Sequence, residues 1–126
     1  MPLRGDINIM EDTFRSSLAL ARWRVVQYSS TQGYVRYGTA RQASLAGVTQ
    51  NATSASGDTV RVRQLGKSLV TISDSVTIGV PLSLSDSEGR VSNVMTGTGD
   101  GIVGVPEETS SASGDQITCF LQIRRQ

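Results

Sequence analysis

The sequence predicts an all-β fold: a small β sandwich or barrel with an internal strand–turn–strand repeat and an extended N-terminal arm. Composition is the first reason. Val, Thr, Ser and Gly abound, and charged residues are only 18% of the chain, below the quarter usual in soluble domains. Alternation is the second. Several short runs place apolar residues at every other position, the period of a half-buried strand. Punctuation is the third. Gly, Asp, Ser and Pro turn signals recur roughly every 8–12 residues, the spacing of a small sandwich or barrel. With 126 residues, the chain is expected to make one compact domain. We therefore expect an arm over residues 1–20 and a single β domain over 21–126.

Residues 1–12 are polar and without period, as in an arm that orders on contact. Segment 14–28 carries two patterns. Phe14, Leu18 and Ala21 or Arg22 fit helical spacing, whereas Ala19, Ala21, Trp23 and Val25 alternate with Leu20, Arg22 and Arg24. Trp, Val and Tyr favour strands, so a strand is expected over 22–28. Gly33-Tyr34 and Gly38 punctuate a hairpin-like region. In Thr59-Val60-Arg61-Val62-Arg63 the valines face one way and the arginines the other. Gly66-Lys67 reads as a turn before a strand over 68–73. Pro81 makes the partly apolar segment 76–84 an edge or a bend. Asp86-Ser87-Glu88-Gly89 is a turn. Segment 115–123 closes the chain, with Ile117, Cys119, Leu121 and Ile123 on one face and Thr118, Phe120 and Gln122 on the other.

One segment recurs. Gly47-Val48, Ser54-Ala55-Ser56-Gly57-Asp58 and Val60-Arg61-Val62 return as Gly104-Val105, Ser111-Ala112-Ser113-Gly114-Asp115 and Ile117-Thr118-Cys119, always 57 residues on. Each unit reads as strand, turn, strand. Gly supplies the positive φ of the turn, and Asp binds nearby backbone donors and opens the next strand. As metal ligands these two aspartates would lack the further oxygen donors a cation cage needs.

Net charge is +1. Residues 1–67 hold nine basic and four acidic side chains (+5), and residues 68–126 hold three basic and seven acidic (−4). A near-neutral total argues against bulk nucleic-acid binding. A dipolar chain can instead pair head to tail with copies of itself or face a charged partner. No apolar run approaches the roughly 18 residues of a membrane helix. The N-terminus shows no apolar leader, so the chain is expected to be complete and soluble.

Histidine is absent and Cys119 is the single cysteine. This removes Ser-His-Asp and Cys-His catalysis, His-ligated metals and an internal disulfide. A lone thiol suits a chain made in a reducing compartment. Gly99-Asp100-Gly101-Ile102-Val103-Gly104 satisfies G-x-G-x-x-G. However, Val105-Pro106 follows at once, and no strand–helix unit fits in the remainder. Arg4-Gly5-Asp6 and the sequon Asn51-Ala52-Thr53 would matter only outside the cell or in a secretory pathway. Glu107 and Glu108, adjacent on a strand, point to opposite faces. Cys119 reads as a buried small hydrophobe, and Trp23 as a core anchor. The chain is expected not to be an enzyme and to need no cofactor or metal.

Several segments carry a resemblance. The run from Gly104-Val105-Pro106-Glu107-Glu108 through Ser113-Gly114-Asp115-Gln116-Ile117 resembles the closing motif of the decoration, or cement, proteins of tailed-phage capsids. Gly47-Val48 through Val62 resembles that family's internal segment, and Gly79-Val80-Pro81-Leu82 and Glu88-Gly89-Arg90-Val91 resemble its central portion. The likeness spans about residues 40–123. Residues 1–30 depart from it, being longer and more basic than in the shortest members.

The resemblance implies a small β domain with a barrel or tulip-like core, and a virion protein made in the host cytoplasm and placed on the outer capsid surface. It implies a homotrimer at local three-fold positions that bridges copies of the major capsid protein. No small-molecule substrate, direct nucleic-acid contact or membrane is implied. An N-terminal arm would add a strand to the shell. Candidate contacts to capsid or subunit are Arg4, Asp6, Ile7 and Ile9 in the arm, with Arg15, Arg22, Arg24, Arg36 and Arg41 meeting acidic patches. A phage tail, fibre or adaptor module is the alternative. A carbohydrate-binding β domain would need an aromatic platform, and an enzyme a carboxylate cleft.

Overall fold

The computed structural model describes residues 10–39, 44–93 and 101–125. Among these are nine strands: β1 (Met10–Ser16), β2 (Val25–Tyr28), β3 (Tyr34–Tyr37), β4 (Leu45–Thr49), β5 (Thr59–Thr71), β6 (Leu82–Leu84), β7 (Val91–Asn93), β8 (Gly101–Pro106) and β9 (Gln116–Arg125). The sheet order is β1-β3-β2-β4-β5-β9-β8-β6-β7, and β1 also pairs with β5. That extra pairing closes a five-strand barrel from β1, β3, β2, β4 and the first half of β5. The second half of β5 pairs with β9, and β8, β6 and β7 follow. A parallel bridge from Ile72 to Val91 returns the circuit to the end of β5. The fold is all-β, as expected.

The second circuit repeats the first. The hairpin pair Val26↔Tyr37 recurs as Leu82↔Asn93. The register shift between Val26 and Gln27 recurs between Leu82 and Ser83. Val48↔Arg63 recurs as Val105↔Phe120, and the parallel contact Ser16↔Val35 recurs as Ile72↔Val91. The separation is 56 residues through β1–β3 and 57 from β4 onward. The repeat legible in the sequence is thus the second half of a duplicated barrel.

The repeated Ser-Ala-Ser-Gly-Asp turn docks identically in both copies. The Gly57 N–H donates to Ser16 O (2.7 Å) and the Ser16 N–H to Asp58 O (2.9 Å); the Gly114 N–H donates to Ile72 O (2.8 Å) and the Ile72 N–H to Asp115 O (2.9 Å).

Alternation fills each barrel. Leu20, Val26, Val35, Ala46, Val60 and Val62 form the N-terminal core, with Phe14 and Tyr37 packed against it. The matching residues Val76, Leu82, Val91, Val103, Ile117 and Cys119 lie in the larger second core, joined by Val25, Leu45 and Val48 from the outer face of the first barrel. That outer face is where the barrels meet. It explains why all five residues of β4 are buried: both faces of the strand are covered.

Three sequence expectations change. The strand expected over 22–28 begins only at Val25, because Trp23 has φ +60°, which no strand accommodates. The turn expected at Gly66-Lys67 is strand. Leu65 pairs with Met10 of β1 and also with Gln122 of β9, so β9 takes over the ladder where β1 begins, and β5 runs on into the second barrel. Within the expected 1–20 arm, Met10–Ser16 are β1 of the first barrel, and residues 1–9 lie outside the described residues. The hairpin at Gly33, the turn at 86–89 and the closing strand form as expected.

Candidate interaction surface

The four described candidate contact residues lie on β1, in the turn before β2 and on β3. Arg4, Asp6, Ile7, Ile9 and Arg41 lie outside the described residues. Arg15, next to the last residue of β1, is exposed beside a recess of about 420 Å³ shared with Thr13, Phe14, Gln32, Gly33, Tyr34 and Thr59. Arg36 is exposed on β3, paired in register with Gln27. Arg22 is exposed, with its guanidinium 4.3 Å from the Trp23 ring centroid, a cation–π contact. Arg24 turns inward: its Nη1 donates to Glu88 O (2.9 Å). It braces one barrel against the other and is only partly exposed. Trp23 is partly buried and closes the turn before β2, its N–H donating to Thr49 O (2.9 Å).

Apolar surface supplies contact groups that sequence reasoning passed over. Met10, Leu18, Tyr28, Ile78, Val80 and Phe120 are the exposed large hydrophobic residues among those described. Met10 and Tyr28 rim a groove of about 280 Å³, completed by Leu45, Ala46, Gln64, Leu65, Gln122 and Ile123. Ile78 and Val80 flank the turn that mirrors Arg22-Trp23-Arg24. The Gly79 N–H donates to Pro106 O (3.1 Å) as the Trp23 N–H does to Thr49 O. Aligning the chain on itself at a separation of 56 would have singled out these positions, because each faces a partner of different polarity.

The titratable groups act structurally. The Asp58 carboxylate accepts from the backbone N–H of Ser54 (3.1 Å) and Ala55 (3.1 Å) and from the Ser54 hydroxyl. The Ser54 N–H foremost holds its pKa below the usual value, against a smaller opposing effect of burial. Burial raises the Asp86 pKa, but the N–H groups of Glu88 and Arg90 and the Arg90 guanidinium (2.6 Å) outweigh it and leave the pKa lowered. Burial, with Glu107 adding to it, pushes the Cys119 thiol up to about 12. Its expected role as a small core residue is what the barrel shows. Glu107 meets Lys67 (3.3 Å), while Glu108 accepts the Thr118 N–H (2.8 Å). Among the described residues no three Asp, Glu or Cys side chains gather as a metal site.

The fold and its surfaces thus define a class: two fused small barrels with exposed apolar and arginine-bearing faces. The structure is similar to the head fiber gp8.5 N base of bacteriophage phi29, with a TM-score of 0.68 and 16% identity over 91% of this chain and 95% of that one. That likeness establishes the fold. No family model matches the sequence, and no curated protein matches it.

Proposed function

We propose that this chain is a structural protein of a tailed-phage head. In this reading it is a decoration or cement protein that binds the outer capsid surface and stabilises contacts between major capsid protein subunits. The observation that carries this reading is the fold shared with a phage head fiber base along almost the full length of both chains. The surface agrees with it. Arg15, Arg22 and Arg36 are exposed on the half that carries the positive charge. A protein that works by contact needs many modest interfaces acting together, and a shell supplies sites at high effective concentration. In the proposed role the protein acts as a homotrimer and uses no cofactor.

Co-sedimentation with expanded heads, with tails as a parallel target, tests the reading. Saturable binding to heads at a fixed ratio per capsid subunit is expected. Arg15→Ala, Arg22→Ala and Arg36→Ala combined should weaken it, and deletion of residues 2–9 tests the part played by the arm. Binding to tails would favour the tail or adaptor module, and binding to neither would overturn a virion role.

A further inference from the structure

We propose that a second copy of this chain docks head to tail, seating the free end of its N-terminal barrel on the free outer face of the C-terminal barrel. The inference does not depend on capsid binding. The molecule already contains this interface once, between its own barrels. There the tip of the β6–β7 hairpin sits on the outer face of β2. Gly89 is buried, and the Val25 N–H donates to Gly89 O (2.8 Å). Arg24 Nη1 donates to Glu88 O (2.9 Å). Leu84, 1% exposed, lies directly over Gly38.

Among the described residues the same tip of the N-terminal barrel has no such seat. Tyr28 stands where Leu84 stands and is 48% exposed. Gly33 stands where Gly89 stands, exposed, with nothing within 4 Å of its Cβ position. Exposed Met10 and the groove it rims complete this bare end. Among the described residues the matching seat is uncovered in part, although Ile102, in the place of Leu45, is buried. Val80 and Pro81 occupy the places of Arg24 and Val25. Pro81 and Val105 are partly exposed where the matching Val25 and Val48 are fully buried, Val80 is 37% exposed, and Phe120 is 38% exposed beside its cross-strand partner Val105.

Among its described residues, one copy therefore carries an uncovered tip and a partly uncovered seat. They are related to each other as the two halves of the interface that the duplication repeats. Charge favours the same pairing. The seat lies in the half that carries −4 and the tip in the half that carries +5, so signs alternate along a row of copies. Such a contact joins different patches, so it closes into a ring or extends as a row.

Sedimentation of the full chain over a concentration series, with Tyr28→Glu at the tip and Val80→Glu at the seat, tests the proposal. Both side chains are exposed, so unchanged melting temperatures control for folding. The wild-type chain is expected to associate, and each variant alone to associate roughly tenfold more weakly or not at all. Mixing the variants should restore a one-to-one heterodimer, because one keeps the tip and the other the seat. A wild-type chain that stays monomeric at every concentration would overturn the proposal, as would a mixture that stays monomeric. If the full chain is monomeric but a chain lacking residues 2–9 associates, the occupant of the bare end is the chain's own N-terminal segment and the proposal fails.

Discussion

Tyr28 and Leu84 hold the same position in two copies of one barrel, yet one is 48% exposed and the other 1%. Gly33 and Gly89 match likewise, one exposed and one buried against Arg24 and Val25. The backbone pairing is shared down to the register shift, so geometry within a barrel does not separate these residues. What separates them is the neighbour. The N-terminal barrel covers the end of the C-terminal one, and nothing among the described residues covers its own. The comparison distinguishes residues fixed by the barrel itself, the same in both copies, from residues fixed by what lies against it.

The geometry shared by the two barrels is under the greatest constraint at Gly47 and Gly104. A Cβ at Gly104 would lie 2.1 Å from Phe120 O, and one at Gly47 would lie 2.4 Å from Arg63 O, with φ +150° besides. The obstacle is backbone in both cases and cannot swing away. Gly104→Ala and Gly47→Ala should each cost about 3 kcal/mol in urea unfolding, near the upper end for overpacking. Similar losses are expected because the position belongs to the barrel. A large loss in only one would show that the copies are not equivalent there.

Gly89 and Gly33 should differ instead. Both have positive φ, +75° and +84°, so alanine pays left-handed strain of about 1 kcal/mol at either site. Only at Gly89 does the new Cβ also meet Val25 O at 2.6 Å. We expect Gly33→Ala to cost about 1 kcal/mol and Gly89→Ala about 3 kcal/mol by the same measurement. Equal losses would mean that the barrels do not press on each other at this tip.

A smaller effect is expected on acidification. The lowered pKa of Asp58 means that its carboxylate stabilises the folded chain above its ordinary value of 3.8. That contribution is lost as pH falls through the lower folded value. Asp58→Asn should therefore flatten the acid side of the stability profile, read as melting temperature against pH between about 5 and 2. An acid limb left unchanged by Asp58→Asn would contradict this account.

How much of this was legible in the sequence follows the same division. The half of the repeat from β4 to the first part of β5 could be read, because Gly-Val and Ser-Ala-Ser-Gly-Asp answer to backbone geometry and recur unchanged. The half from β1 to β3 could not. Ser16 matches Ile72, Trp23 matches Gly79 and Tyr28 matches Leu84, and each difference reflects surroundings. Trp23 misled because its side chain favours a strand while its backbone makes the left-handed turn that Gly79 makes in the second copy. Gly66 misled because a glycine beside a lysine signals a turn, whereas here β5 passes from one barrel to the other. The arginines could be counted but not oriented. Nothing local to Arg24 marks it as the brace to Glu88, 64 residues away.

Sharing β5 makes a last prediction about how the barrels open. Cys119 is fully buried in the C-terminal barrel, with its pKa pushed up to about 12. The thiolate is the reactive form, so modification by a disulfide reagent at pH 8 should wait for that barrel to open. Val62 is the same position in the N-terminal barrel and is equally buried. Val62→Cys with Cys119→Val moves the single thiol there at near-constant volume and small cost. If β5 binds the two circuits into one cooperative unit, both thiols report the global opening and react at nearly equal rates once corrected for stability. The opposite outcome is also specific. Faster reaction at residue 62 would mean that the N-terminal barrel opens on its own, through the bare end at Met10 and Tyr28, and a second copy docked there would then slow it.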